Sequence, residues 1–252
     1  MIIGILGLIG SGKNTAAEEF IKIGYEKDSF AATLKDVCSA MFGWRRDLLE
    51  GITDESRAFR EAPDMFWNDR LGAETLAKFN VGPSYENKYF TPRIALQLLG
   101  TNVLRDQFHN DIWINTVEHR LQQDPSKNIV ISDCRFKNEI ALIREHGGIL
   151  IRVDRGPNPD WHEHAVRYNK DVNNFDAEME GLYQDKNRLK DVHQSEWDWV
   201  GTDVDYVIDN NGTLADMKAR VAEIANDIRR NPGRTAQKTQ DKAANIARQY
   251  QQ

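Results

Sequence analysis

Residues 7–15 read Gly-Leu-Ile-Gly-Ser-Gly-Lys-Asn-Thr and satisfy the G-x-x-x-x-G-K pattern of a phosphate-binding loop. Gly7, Gly10 and Gly12 let backbone N–H groups converge on phosphate oxygens, with Ser11 set among them. Lys13 is long enough to reach the β and γ phosphates of a nucleoside triphosphate. Thr15 keeps a hydroxyl for the α-phosphate side. Asn14 stands where a Ser or Thr hydroxyl normally ligates magnesium, and an amide oxygen can ligate Mg²⁺ itself or hold one of its waters. A second oxygen group is expected on a neighbouring strand. Asp133, which follows the apolar run 128–132, is the candidate; taken alone, an Asp at a strand end more often caps a helix.

Such a loop works only between a buried strand and a helix N-terminus, and the flanking residues supply both. Ile2-Ile3-Gly4-Ile5-Leu6 is short, β-branched and apolar on both faces, as a central parallel strand is. The stretch 15–23 has Ala17, Phe20 and Ile21 at helical spacing and ends at Gly24, a left-handed cap. A second strand over 25–30 and a helix over 33–42, with Leu34, Val37, Cys38 and Met41 on one face and Gly43 closing it, continue the alternation. From 45 to 90 the pattern degrades into charges, Gly, Pro and scattered aromatics, which reads as an excursion from the sheet.

Order returns at Thr91, an N-cap before Pro92 at the first helical position. Ile94, Ala95, Leu98 and Leu99 are then expected on the buried face, with Arg93 and Gln97 together on a neighbouring one. Asp111 opens a helix through Trp113, Val117 and Leu121, and 128–131 is a central strand. A helix through Phe136, Ile140 and Ile143, closed by Gly147-Gly148, leads to a strand over 149–153. Residues 156–190 are polar, with one helix expected through Met179, Leu182 and Leu189, and read as an insertion or lid. Residues 206–208 form a last strand. Thr213 with Asp216 caps a helix whose Leu214, Met217, Val221, Ile224 and Ile228 are expected to face the core. The tail 231–252 is polar.

With 33 basic and 39 acidic residues in 252, the net charge of −6 argues against a protein that coats nucleic acid or an anionic membrane. Cys38 and Cys134 make no disulfide framework and no metal motif, and read as buried apolar fillers in a reducing, cytoplasmic setting. His162-Glu163-His164 lacks zinc-binding spacing and reads as part of a polar surface loop.

A phosphate loop alone suits a GTPase, an ATPase motor or a small-molecule kinase, and no Asn-Lys-x-Asp follows it. The rest of the chain resembles the deoxynucleoside monophosphate kinases of tailed bacteriophages. The resemblance is carried by GLIGSGKNTAAEEF, FAATLKDVCSAMFGW, PRIALQLLGTNVLR, the Trp of NDIWINTV, IVISDCRFKNEIALIREHGGILIRVDR, HQSE and DYVIDNNGTLADM, in the family's order across residues 1–228. It departs in 45–90 and in 156–190.

The resemblance implies an α/β, P-loop NTPase-type three-layer fold with a mostly parallel sheet over 1–230, an acceptor-binding excursion and a lid-like insertion. It implies an ATP-dependent, Mg²⁺-assisted phosphoryl transfer to a deoxynucleoside 5′-monophosphate, supplying precursors for phage DNA replication in the host cytoplasm. It makes Lys35, Arg93, Gln97, Trp113, Asp133 and Arg135 the acceptor-site and catalytic residues beside Lys13, with Asn14 and Asp133 toward the metal. The chemistry of these residue types agrees: a dianionic phosphate needs guanidinium forks, a flat base stacks on an aromatic, and a base edge needs amide hydrogen bonds. Two plainer readings stay open. Trp113, in line with Val117 and Leu121, fits a core position equally, and Lys35 and Arg93 fit solvated helix charges. The expected partner is a small molecule, with no nucleic acid or membrane; a homodimer is allowed for. Another P-loop kinase of dephospho-coenzyme A type, or a non-catalytic nucleotide-binding module, are the rival readings.

Overall fold

The computed structural model describes residues 1–171 and 179–230. In chain order the elements are β1 (Ile2–Leu6), α1 (Lys13–Lys22), β2 (Glu26–Asp28), α2 (Ala32–Phe42), α3 (Asp54–Glu61), α4 (Met65–Ala77), α5 (Pro92–Gln97), α6 (Ile112–Gln123), β3 (Ile129–Ile131), α7 (Lys137–Glu145), β4 (Ile149–Asp154), α8 (His162–Asp171), α9 (Met179–Leu189), α10 (Gln194–Trp197), β5 (Tyr206–Asp209) and α11 (Leu214–Arg230). A 3₁₀ turn covers Asp47–Leu49, and a π-helical stretch, Leu98–Phe108, continues from α5. The chain divides into two compact units, one made of Met1–Phe30 with the residues from Glu118 onward, the other of Ala31–Val117.

The first unit is built on a five-stranded sheet of order β2-β3-β1-β4-β5, and every pairing in it is parallel. Parallel strands covered on both faces need apolar residues at every position, and all five residues of β1 are buried. Ile3 and Ile5 pack with Ala16, Ala17 and Phe20 of α1 and with Met217, Val221, Ile224 and Ile228 of α11. The opposite face carries α7: a Cβ on Gly4 would run into Ile143 Cδ1 at 2.4 Å, so the glycine lets the helix approach the strand. The result is three layers, helix on sheet on helix. The chain leaves β1 for β2 and β3 on one side and later builds β4 and β5 on the other. The carboxyl end of β1 therefore lies at the switch point where open α/β sheets bind ligands.

Capping chemistry starts the last helix where the sequence indicated. Thr213 and Asp216 exchange hydrogen bonds, Thr213 N–H donating to Asp216 Oδ2 at 2.7 Å and Asp216 N–H to Thr213 Oγ1 at 3.2 Å. Leu214, expected on the core face, is 53% exposed because the buried stripe begins at Met217. Ile21 likewise sits at the edge of the α1 face, and β2 spans three residues, since among the described residues its outer edge has no further strand to pair with.

The insertion after β4 holds two helices, α8 and α9, that pack on each other, with residues 172–178 outside the described part. His162 and His164 lie in the first turn of α8 and not in a loop. His164 Nδ1 is 2.6 Å from Asp185 Oδ1, and Arg167 donates to the same carboxylate at 2.9 Å, so the pair of helices is stitched by charge as well as by buried Ala165 and Leu189. The polar tail also lies outside the described residues.

The second unit is helical. It begins earlier and ends later than the degraded stretch 45–90, because Leu34 and Cys38 of α2, Ile94 to Leu96 of α5 and Trp113 of α6 share one core with Trp44, Leu49, Leu76, Val81 and Phe90. Aromatic packing organises it: Phe42 stacks on Trp44 with ring centroids 4.4 Å apart and meets Trp67 edge to face at 5.2 Å. The indole N–H groups are used as well. Trp44 donates to Asp64 Oδ2 at 2.7 Å and Trp67 to the Phe42 carbonyl at 3.0 Å. Asp64 also caps α4 by accepting from Trp67 N–H at 3.1 Å, and Thr91 caps α5 as expected, accepting from Ile94 N–H at 3.2 Å. Met41, placed on the buried face by its spacing, is exposed, and Leu98 and Leu99 are half-buried. Both cysteines are buried, and burial pushes the thiol of Cys38 up to about 11 and that of Cys134 well above its ordinary value, as inert fillers require.

Candidate active site

The phosphate loop lies between β1 and α1 and depends on glycine at two crowded positions. Gly7 has φ 148°, and a Cβ there would meet the Val153 carbonyl at 2.5 Å and Ser11 Oγ at 2.6 Å. Gly12, which starts α1 at φ 102°, has Asn210 Nδ2 at 2.5 Å and Met217 Cε at 3.0 Å from the same built atom. Both positions demand a backbone that side-chain-bearing residues rarely adopt. The loop is braced from β5, since Asn210 donates to the Ser11 carbonyl at 2.7 Å. Ser11 Oγ is buried without a hydrogen-bond partner, a polar atom inside the cradle whose bonding capacity suits a phosphate oxygen.

Lys13 folds over the loop it follows, its Nζ donating to the carbonyls of Gly7 at 2.7 Å and Leu8 at 2.8 Å. Burial lowers its pKa to about 8. The Arg135 guanidinium adds to that fall and the Glu196 carboxylate opposes it, which places both groups within electrostatic reach of the ammonium. Asn14 is exposed, and its Oδ1 accepts from the hydroxyl of Ser132 at 2.9 Å. The residue in the magnesium position of the loop is thereby joined to the carboxyl end of β3, the neighbour of β1.

Asp133, two residues past β3, binds the stretch just after β2: Ser29 O–H donates to its Oδ2 at 2.6 Å and Phe30 N–H to its Oδ1 at 3.2 Å. Arg135 has its Nη1 3.0 Å from Glu196 Oε1 and 3.4 Å from Ser195 Oγ, both in α10. The loop, Asn14, Ser132, Asp133, Arg135 and Glu196 thus gather at one end of the sheet in the first unit. Ser132, Ser195, Glu196 and Asn210 were not singled out from the sequence. They lie in the stretches ISDCRF, HQSE and DNNG, so the signal was present as text but carried no spacing that assigns a role.

The remaining candidates stand in the helical unit. Lys35, half-buried on α2, donates to Glu50 at 2.8 Å, and Arg46 clasps the same carboxylate while reaching Asp36 at 2.6 Å. Arg93 on α5 pairs with Glu61, both about half-exposed, and Gln97 is exposed one turn further along the same face. Trp113 is 6% exposed and donates its indole N–H to the Gly100 carbonyl at 2.8 Å, so its ring belongs to the core of this unit. Of the two readings left open by its spacing, the packing one describes its surroundings. No cluster of three or more His, Cys, Asp or Glu side chains placed to hold a metal ion occurs among the described residues.

Residues 74–168 match the family described as deoxynucleotide monophosphate kinase. A protein of Acanthamoeba polyphaga mimivirus assigned that name is 33% identical over an alignment of 167 positions that covers 62% of this chain and 74% of that protein. The deoxynucleoside-5′-monophosphate kinase of Escherichia phage T5 is 26% identical over an alignment of 182 positions that covers 58% of this chain and 72% of its own. Among solved structures, the dephospho-CoA kinase of Campylobacter jejuni aligns over 90% of this chain and 96% of its own, at 13% identity and a TM-score of 0.39. At 33% identity across about three quarters of the mimivirus protein, and with an intact phosphate loop on the central strand of a parallel sheet, the chain belongs to the deoxynucleotide monophosphate kinase family.

Proposed function

We propose that the chain transfers the γ-phosphoryl group of ATP to a deoxynucleoside 5′-monophosphate, giving ADP and the deoxynucleoside diphosphate. The observation that carries this reading is the Gly7 to Thr15 loop at the switch point of the sheet, in a chain of this family. Backbone N–H groups of residues 10–13 and the N-terminus of α1 would hold the donor phosphates, with Lys13 exchanging its two carbonyl partners for phosphate oxygens. The acceptor phosphate is already an anion near neutral pH, so no strong general base is required. Catalysis then rests on alignment and on neutralising the charge that develops on the moving phosphoryl group, a role we assign to Lys13 and Arg135.

Mg²⁺ would bring further neutralisation, and the donor set suits it, since hard cations take oxygen ligands and Asn14 Oδ1, the Ser132 hydroxyl and Asp133 are all oxygen groups at this end of the sheet. On the acceptor side we assign phosphate binding to Arg93, with Lys35 in support, and base-edge recognition to Gln97, while Trp113 shapes the unit from within. The helices of residues 156–190 are assigned the exclusion of water, which otherwise competes as acceptor. No described helix is long and apolar enough to cross a membrane.

The test is a panel of the common deoxynucleoside and ribonucleoside monophosphates with ATP and Mg²⁺, read by chromatography of the products. ADP and a diphosphate should appear together and only with a monophosphate acceptor. ATP binding with no acceptor-dependent ADP would overturn the reading.

A further inference from the structure

Arg135 is held by groups far from it in sequence. Its Nη1 donates to Glu196 at 3.0 Å and approaches Ser195 Oγ at 3.4 Å, 61 and 60 residues away. About two fifths of the arginine side chain is exposed against one fifth of Glu196, so the carboxylate is the better-fixed partner. The segment that carries Glu196 is itself fastened just past it, where α10 ends, from two elements. Asp198 accepts from Lys137 N–H at 2.9 Å, at the first turn of α7 and two residues beyond Arg135. Asn169 of α8 donates to the carbonyls of Trp197 at 2.8 Å, Asp198 at 3.3 Å and Val200 at 2.9 Å. A continuous line of polar contacts therefore runs from the helical insertion through α10 to the guanidinium near the phosphate loop.

A surface arginine free to sample its rotamers would lose much of that freedom on binding a phosphoryl group. One whose edge is already pinned by a carboxylate loses less, and still has donors left, because a guanidinium carries five. The pairing also matters for the carboxylate. An unpaired Glu196 this close to Lys13 would repel the phosphates, whereas a paired one leaves the local charge set by the lysine.

We propose that Glu196 is a positioning residue for phosphoryl transfer, fixing the Arg135 guanidinium beside the phosphate loop, and that the insertion after β4 holds Glu196 in place through Asn169. The proposal rests on the kinase reading above. It predicts a split that loss of packing alone would not produce: without Glu196, kcat falls because Arg135 is no longer held, while the KM for ATP stays the same or falls because a negative charge has gone.

The experiment compares the full chain with Glu196→Ala, Glu196→Gln, Arg135→Ala and the double variant Arg135→Ala/Glu196→Ala, by steady-state kinetics and thermal unfolding. Glu196→Ala should lower kcat about 10-fold, the scale of a lost charge-assisted contact, with no rise in the KM for ATP. The same change should cost less than about 2-fold when Arg135 is already alanine. An equal loss in both backgrounds, no loss in either, or a rise in the KM for ATP would overturn the proposal. Should Glu196→Ala unfold early, Glu196→Gln, which keeps the shape and one acceptor oxygen but loses the charge, should lower kcat about 3-fold with Arg135 present and leave it unchanged when Arg135 is alanine, and an equal effect in both backgrounds would overturn the proposal. A wild-type chain without acceptor-dependent ADP release would instead overturn the kinase reading, whatever Glu196 does.

Discussion

The sheet unit and the helical unit hold their charged side chains by different means. In the first, the phosphate cradle is mostly backbone, its shape is set by glycines at φ 148° and 102°, and the side chains around it sit at strand ends whose register is fixed by parallel pairing. In the second, Lys35, Arg93 and Gln97 project from helices, and the two cations already have carboxylate partners, Glu50 and Glu61. A backbone cradle is in place whether or not a ligand comes, whereas a paired cation must exchange one anion for another. Donor binding should therefore be sensitive to single residues of the first unit, and acceptor binding should be spread over several weaker groups of the second.

The largest effect belongs to Lys13. Lys13→Ala should lower kcat by at least ~100-fold, because the ammonium meets charge that grows in the transition state, while thermal unfolding changes little. Its pH dependence sharpens the point. Burial and Arg135 outweigh Glu196 and bring the pKa down to about 8, so the free enzyme loses this charge as the pH rises through that value. The kcat/KM for ATP should fall along an alkaline limb near pH 8. The limb of kcat should lie higher, since bound phosphates favour the protonated form. A kcat/KM flat to pH 9.5 would show that the lysine charge is not what binds the donor.

Arg93→Ala comes next and tests the other half of the comparison. It should raise the KM for the monophosphate about 10-fold and leave that for ATP unchanged, with no loss of stability, because an exposed pair with Glu61 contributes little to folding. A rise confined to ATP would move Arg93 to the donor side.

Trp113→Phe should cost stability rather than activity. It removes the N–H that satisfies the Gly100 carbonyl in a buried setting and leaves an aromatic ring in place, a loss of about 1 to 2 kcal/mol in chemical denaturation with kcat and both KM values held. A change in preference among bases would instead give Trp113 a stacking role.

The same contrast explains what could be read from the sequence. Ile2–Leu6 and Ile149–Asp154 are legible because a strand buried on both faces has almost no polar freedom, and Thr213 with Asp216 is legible because a capping box is a local event. The helical unit resisted because its helices are short and its core is assembled from distant aromatics. Its α3 has one fully buried residue, Ser56, and α4 is broken by Gly72 at φ 74°, so neither presents a clean apolar stripe. The site divides likewise. The loop is a contiguous motif, and Asp133 could be placed from the end of a strand. The contacts of Ser132 with Asn14 and of Glu196 with Arg135 join residues 118 and 61 apart and exist only once β3 lies beside β1 and α10 reaches α7.

The smallest effect concerns Lys35 and separates a clasped cation from an idle one. Burial alone would push the Glu50 carboxyl up, but hydrogen bonds and charge from Lys35 and Arg46 outweigh it and hold the group down at about 2. A carboxylate whose folded value lies below its unfolded one stabilises the chain above about pH 4.5, the ordinary range for Glu, and the stabilisation drains away as pH falls through about 2. Glu50→Gln should therefore cost on the order of 1 kcal/mol at pH 7, given that the cluster is partly exposed, and flatten the acid side of the stability curve. It also releases Lys35. If the freed ammonium meets the acceptor phosphate, the KM for the monophosphate should fall about twofold in Glu50→Gln and rise in Lys35→Ala, a small change because one anion replaces another beside the lysine. A KM indifferent to both substitutions would make Lys35 a structural cation of the helical unit and leave acceptor binding to the Arg93 and Gln97 face of α5.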